Sequence, residues 1–62
     1  MYVLKRIDQG GGYVAVSGHK TSYTKSVYYM KGFATREEAE SNRCVENEVI
    51  VDLNDLIGIG IN

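Results

Sequence analysis

The chain has 62 residues, of which 44% are hydrophobic, and a formal net charge of −1 at pH 7. This length admits one domain with a small core, and such domains commonly gain stability from disulfides, metals or self-association. One cysteine and one histidine exclude an intrachain disulfide and a Cys/His zinc cage, so self-association is the remaining route.

The first predicted element is a β-hairpin over residues 2–16. Its outgoing strand is Tyr2–Ile7, and its return strand, Tyr13–Val16, is apolar and β-branched. Three consecutive glycines at positions 10–12 separate the strands, and glycine reaches the positive φ angles of tight turns without a Cβ penalty. The pattern predicts two antiparallel strands joined at this turn.

A third strand is predicted over residues 27–30. The preceding segment, residues 17–26, is polar and indicates a loop or an irregular strand. The sequence Val-Tyr-Tyr-Met at 27–30 has the aromatic and branched residues that are enriched in strands, and this strand should end near Phe33. The resemblance described below leaves open whether residues 26–31 form a strand or a helix.

A capped helix is predicted over about 36–43. Thr35 and Glu38 have the spacing of a capping box, in which the Thr hydroxyl accepts the Glu38 N–H and the Glu38 carboxylate accepts the Thr35 N–H. Two turns are too few for a helix to stand alone, so it must dock on the sheet. We expect Ala39 and Cys44 to make that contact, beneath the ring of the single phenylalanine.

The C-terminal part combines a final strand, predicted over 48–53, with an apolar tail over 56–61. In the tail Ile57, Ile59 and Ile61 alternate with two glycines, so an extended tail would place the three isoleucines on one side. Such a strip predicts packing on a second copy or on a target, and the alternative is that the tail completes this chain's own sheet.

Together these elements predict a single α+β domain over residues 1–62. It consists of a small antiparallel-rich sheet, built from the hairpin, the third strand and the final strand, with one short capped helix on one face. The start of the chain lacks the apolar run of a signal peptide, and no stretch is long enough for a transmembrane helix, which predicts a cytoplasmic protein.

Charge is distributed unevenly along the chain. Residues 1–36 carry six basic residues and one acidic residue, whereas residues 37–62 carry one basic residue and seven acidic residues. The two halves can neutralise each other within the fold, or they can form separate basic and acidic faces that steer partners electrostatically. We expect the lysines and the glutamates to lie on different faces.

No residue pattern predicts catalysis, cofactor binding or metal binding. His19 and Cys44 could form a base and nucleophile on paper, but an exposed loop histidine and a buried cysteine explain them better. The segment Gly18–Thr21 lacks the adjacent Gly-Lys and the spacing of a phosphate loop. We therefore expect a non-enzymatic protein without a cofactor.

A candidate interaction surface lies between positions 20 and 31, where basic and aromatic residues alternate without an acidic residue: Lys20, Tyr23, Lys25, Tyr28 and Lys31. The isoleucines of the tail belong to the same candidate set. Lysines can contact phosphates while aromatic rings stack on bases, so nucleic-acid binding is one interpretation. The sequence pI near 5.7 argues against it, and a lysine-protected edge strand explains the pattern equally well.

Several short motifs are shared with a known group of proteins. They are the Tyr2-Val3 start, the Tyr13-Val14-Ala15 return, Ser22-Tyr23-Thr24, the run Phe33-x-Thr35-x-Glu37-Glu38-Ala39-Glu40, and Cys44-Val45-Glu46-Asn47-Glu48. Over roughly residues 1–53 the chain resembles short accessory proteins of bacteriophages and prophages. The resemblance implies an accessory product made in the cytoplasm of an infected bacterium, and some proteins of this kind inhibit host defences.

The function expected from sequence is a protein-binding module of phage origin that inhibits a host enzyme or defence complex. A nucleic-acid-binding accessory protein and a self-assembling structural component, associating through residues 56–61, are the alternatives. The sequence identifies neither the partner nor the oligomeric state.

Overall fold

The computed structural model describes residues 1–57 of the chain. These residues form four strands, one 3₁₀ turn and two α-helices. The strands are β1 (Tyr2–Arg6), β2 (Tyr13–Val14), β3 (Tyr23–Thr24) and β4 (Glu48–Asp52), the 3₁₀ turn is Val27–Tyr29, and the helices are α1 (Arg36–Asn42) and α2 (Leu53–Ile57).

The strands form one antiparallel sheet in the order β3-β2-β1-β4. The long pairing joins β1 to β4 over five residues, with Leu4 opposite Ile50, whereas β2 pairs with β1 and with β3 over only one and two residues. Helix α1 contacts β1 and β4. The predicted fold class, a small antiparallel sheet with a short capped helix, is confirmed.

The core lies around the central strand β1. Val3 and Leu4 are both almost completely buried although neighbouring strand residues point to opposite faces, so β1 is covered on both sides. Leu4 forms the main cluster with Phe33 and Ala39, and partly buried residues, Ile50 among them, pack around it. Ala39 is fully buried, because only a small side chain lets so short a helix lie close to the sheet.

The third strand lies earlier than the composition predicted. Val27–Tyr29 is a 3₁₀ turn, and β3 is instead Tyr23–Thr24, within the polar segment that had indicated a loop or an irregular strand. After the turn, the chain runs between β1 and β2 where these two strands diverge. Met30 forms a single bridge with Ala15, which follows β2, and Phe33 forms a single bridge with Tyr2 of β1. The prediction of a strand over 27–30 was wrong because aromatic residues there face solvent, which strand propensity does not distinguish.

Helix α1 begins and ends within one residue of its predicted bounds. Thr35 Oγ1 accepts the Glu38 N–H at 3.1 Å, as the capping box requires. The Glu38 carboxylate accepts the N–H of Ala34 at 3.1 Å, so the reciprocal bond reaches one residue further back than predicted. Cys44 is exposed, which corrects the prediction that it packs beside Ala39 under the phenylalanine ring.

The chain leaves the last strand one residue earlier than predicted. The Asp52 carboxylate accepts the Asn54 N–H at 3.0 Å, and Leu53–Ile57 forms a short helix, so the first residues of the predicted tail are helical and not extended. Ile59 and Ile61 lie outside the described residues, and their packing stays a prediction. Over residues 1–57, no helix has the length and apolar character needed to cross a membrane.

Candidate interaction surface

Two turns of the chain present a group of exposed apolar and aromatic side chains, together with the half-buried ring of His19. We call this group the aromatic ridge and define it as Val16, His19, Val27, Tyr28 and Tyr29. Tyr28 is 88% exposed and Tyr29 is 50% exposed, and both valines are also exposed. Exposed apolar residues are ordinary when they are scattered singly, but a contiguous group of them marks an interaction site.

Backbone hydrogen bonds hold the two turns of the ridge together. The Val16 N–H donates to the Tyr29 carbonyl at 2.8 Å, and the His19 N–H donates to the Val16 carbonyl at 3.1 Å. Gly18 lies between Val16 and His19 in the chain and has a φ of 88°, a left-handed conformation that favours glycine. The ridge is therefore built on a fixed backbone.

The imidazole of His19 stacks on the ring of Tyr29. Their centroids are 4.9 Å apart with an interplanar angle of 26°. This stack orients one ring of the ridge, whereas Tyr28 projects beyond it into solvent. The environment of His19 is thus aromatic, and its contacts are those of a packing residue.

The lysines of the candidate surface differ in their surroundings. Lys20 and Lys25 are exposed on either side of β3. Lys31 is half-buried, with its Nζ 5.6 Å from the centroid of the Phe33 ring. The acidic residues Glu48 and Asp52 belong to β4, at the opposite edge of the sheet. Glu48 and Asp52 thus lie at the edge opposite β3, and the separation of the lysines and the glutamates on different faces stays a prediction.

Tyr23 is separated from the ridge by its position on the sheet. Its side chain is half-buried and its hydroxyl donates to Glu48 Oε2 at 2.5 Å. The Arg6 guanidinium lies 4.6 Å from the centroid of the Tyr23 ring. Tyr23 thus reaches from the edge strand β3 across β2 and β1 to the opposite edge strand β4. The sequence interpretation of Tyr23 as part of the candidate interaction surface stays a prediction, and the structure adds these contacts to it.

The buried Glu48 accepts hydrogen bonds from several residues around it, including Tyr23. It is 5% exposed, and its Oε1 accepts the Cys44 N–H at 2.8 Å. The Glu48 carbonyl accepts Nη1 of Arg43 at 2.6 Å. The hydrogen bond to the Glu48 carboxylate, together with burial and the negative charge, raises the pKa of Tyr23 above its ordinary value. These contacts tie the α1–β4 connection to β3.

Asp8 and Asn47 extend the polar contacts beyond the end of β1. Asp8 forms a close ion pair with Nε of Arg6, without hydrogen-bond geometry at that nitrogen. The Asn47 side-chain amide donates to Asp8 Oδ2 at 3.4 Å. Desolvation raises the pKa of Asp8, but Arg6 and the Asn47 amide together outweigh it, and the net pKa is lowered.

The residues that could have suggested catalysis have other surroundings. His19 stacks on Tyr29, and the Cys44 N–H is bound by Glu48. Within residues 1–57, no three His, Cys, Asp or Glu side chains form a group that could hold a metal ion. The contact of the His19 side chain is therefore one of packing, whereas the contact of Cys44 is made by its backbone N–H and not by its thiol.

Sequence reasoning found Tyr28 but missed Val16 and Val27. Both valines were assigned to strands, where their side chains would help to form a sheet face, and the structure places them at exposed turns. For Val16 the signal is Gly18, two residues later, since a turn at this position ends the predicted strand.

Comparison with known proteins adds no relative: no family model matches the chain, and no curated protein or solved structure is similar to it.

Proposed function

We propose that this chain is a non-enzymatic protein-binding module that contacts its partner through the aromatic ridge. The observation that carries the proposal is the 88% exposure of Tyr28 between the exposed neighbours Val27 and Tyr29. Among the described residues, few apolar side chains are buried, so keeping these large ones in water is a considerable cost for so small a domain.

Tyrosine suits this role physically. Its ring supplies a large apolar contact area, its hydroxyl pairs with a polar neighbour, and it loses little conformational entropy on binding. Tyr29 is further restrained by its stack on His19 and by backbone hydrogen bonds. A restrained ridge loses less freedom when it docks, so more of the contact energy appears as affinity.

The charges around the ridge define the partner's chemistry. Lys20 and Lys25 are exposed nearby in the chain, and no acidic residue occurs between Asp8 and Glu37. A complementary protein surface has an apolar groove that receives Tyr28 and an acidic rim that faces the lysines. The resemblance to phage accessory proteins supports a host enzyme or defence complex in the bacterial cytoplasm as this partner.

The test is affinity capture from bacterial lysate with the full chain and two variants. Tyr28→Ala removes the ridge's most exposed ring, whereas Val45→Ala truncates a 70% exposed valine outside the ridge. We expect the parent and the Val45 variant to retain the same protein after nuclease treatment and in 0.5 M salt, and Tyr28→Ala to lose it.

Other outcomes would reject the proposal. Equal capture by all three chains would exclude the ridge as the docking surface. Capture that disappears with nuclease, or falls steeply with salt, would indicate nucleic acid bound through phosphate contacts.

Self-association through residues 56–61 stays a separate proposal. Mass measurement of the intact chain and of a chain ending at Asn54 tests it, because loss of the tail should convert an oligomer into a monomer. Two monomers of equal stability would contradict it, and that result would leave the proposal for the ridge unaffected.

A further inference from the structure

A second surface feature lies beneath the hairpin turn, away from the residues that define the ridge. Here the glycine turn, Arg6 and β3 enclose an open pocket of about 160 Å³. Lys25 lines the same pocket, directly after β3. The feature therefore combines two basic side chains with exposed peptide backbone.

The glycines give the pocket its shape. Gly11 and Gly12 have φ angles of 63° and 87°, both in the left-handed region. A Cβ on Gly12 would lie 3.3 Å from the Thr24 carbonyl oxygen, and a Cβ on Gly10 would overlap Nη1 of Arg6. Bare backbone at these positions lets the turn approach both β3 and the guanidinium. The Gly11 N–H donates to the Asp8 carbonyl at 3.1 Å and the Gly10 N–H donates to the Asp8 carboxylate, so the Gly12 N–H is the peptide donor that this turn could offer an anion.

Arg6 is held so that one part of its guanidinium faces this turn. Nε is buried and contacts Asp8, and the ring of Tyr23 lies against the guanidinium. The two terminal nitrogens lie beside Gly10, which lines the pocket. Asp8 and Tyr23 thus orient the side chain, and the terminal nitrogens have the fork geometry that binds two oxygens of one oxyanion.

We propose that this pocket binds the phosphate group of a phosphate monoester or of free inorganic phosphate. Arg6 supplies paired donors, Lys25 supplies a point charge, and the turn supplies the Gly12 N–H. Because Asp8 offsets the charge of Arg6, Lys25 provides the net positive charge of the pocket. The binding is a property of the hairpin and does not depend on the proposed function of the ridge.

The test is titration of the isotope-labelled full chain with sodium phosphate at constant ionic strength, followed through the backbone amide signals in NMR spectra. We expect saturable shifts at Gly11, Gly12 and Lys25. O-phosphoserine replaces phosphate in a second titration, and tighter binding of one of them identifies an ester or the free ion as the better ligand. Sodium acetate and sodium chloride should give no saturable shifts.

Two lysine variants make a matched pair. Lys25→Gln removes a charge that lines the pocket, and Lys20→Gln removes an exposed lysine that is not among the lining residues. We expect the first to weaken phosphate binding about fivefold, the upper range for an exposed charge pair, and the second to leave it nearly unchanged. Equal weakening by both, or linear shifts that chloride reproduces, would overturn the proposal.

Arg6→Lys tests the paired donors at constant charge. A lysine keeps the positive charge but loses the fork, so phosphate binding should weaken about tenfold or more. Since Arg6 also packs on Tyr23, the dispersion of the amide spectrum first shows whether the variant is folded. If the variant is folded and binds phosphate as well as the parent, the proposed role of Arg6 is wrong. If the variant is unfolded, the comparison of Lys25→Gln with Lys20→Gln decides whether the pocket binds phosphate.

Discussion

The side chains of Tyr23 and Tyr28 lie five positions apart in one polar and aromatic segment, yet they have opposite surroundings. Tyr23 is half-buried, packs against Arg6 and donates its hydroxyl to the buried Glu48. Tyr28 is 88% exposed. The difference separates two tasks, because the first side chain joins the edges of the sheet and the second is free to contact a partner.

The region around Tyr23 compensates for a small apolar core. The strand pairings of β2 and β3 extend over only one or two residues, so backbone hydrogen bonds alone attach this side of the sheet weakly. The bond from Tyr23 to Glu48 connects β3 directly to β4. Stability should therefore depend on this region, whereas it should depend little on the aromatic ridge.

The largest effect is expected for Glu48→Ala. This change removes the acceptor of both the Tyr23 hydroxyl and the Cys44 N–H in two partly buried hydrogen bonds, and a shielded donor left without a partner costs about 1–3 kcal/mol. We expect the free energy of unfolding to fall by about 2–5 kcal/mol, enough to unfold much of a marginal domain. Urea denaturation followed by circular dichroism measures it.

Glu48→Gln is the matched control for that experiment, since it keeps the size of the side chain and an oxygen that can accept the Cys44 N–H. The free energy of unfolding should fall by less than half as much in Glu48→Gln as in Glu48→Ala. Two equal losses would show that charge, and not hydrogen bonding, determines the stabilisation.

A smaller effect is expected for Tyr23→Phe. The ring and its contact with Arg6 are kept, but Glu48 loses one hydrogen bond, so we expect a loss of about 1–3 kcal/mol at neutral pH. The same denaturation experiment measures it. An unchanged stability would mean that the contact between Tyr23 and Glu48 contributes nothing to the fold.

The contact between Tyr23 and Glu48 also predicts that the stability of the fold decreases at alkaline pH. The pKa of Tyr23 is raised in the folded chain above the ordinary 10.0, so the folded state holds the phenolic proton more tightly than the unfolded state. The resulting stabilisation is complete below pH 10 and is lost as the pH rises through the folded pKa. Denaturation midpoints from pH 8 to 11 should fall more steeply for the parent than for Tyr23→Phe, and parallel curves would contradict this.

A feature could be predicted from sequence where the interacting residues are close together along the chain. The hairpin turn and the cap at Thr35 were predicted because they depend on neighbouring residues, namely the glycines at 10–12 and Glu38. The bond between Tyr23 and Glu48 joins residues 25 positions apart, and no local pattern reports it. The turn at Val27–Tyr29 was predicted as a strand because a strand and a 3₁₀ turn accept the same aromatic residues.

Thr35→Ala is a reference variant that should lower the stability of the fold without affecting partner binding. The Thr35 hydroxyl accepts the Glu38 N–H at the start of α1, and loss of such a cap costs about 1 kcal/mol. Thermal unfolding should show a lower midpoint, while capture of the partner by the folded fraction should be unchanged. A midpoint equal to that of the parent would show that the cap makes no contribution, and Thr35→Ser, which keeps the hydroxyl, should remain close to the parent.

The smallest effect on stability is expected for Tyr28→Ala, and this variant tests the comparison most directly. An 88% exposed side chain loses little contact when it is truncated, so the free energy of unfolding should stay within about 0.5 kcal/mol of the parent. Binding should respond in the opposite way, because a central tyrosine of an interface contributes about 2 kcal/mol or more, roughly a thirtyfold change in Kd. Denaturation and a binding titration on the captured partner measure the two quantities. A variant that loses stability by 1 kcal/mol or more, or that binds as tightly as the parent, would show that Tyr28 and Tyr23 do not divide these tasks.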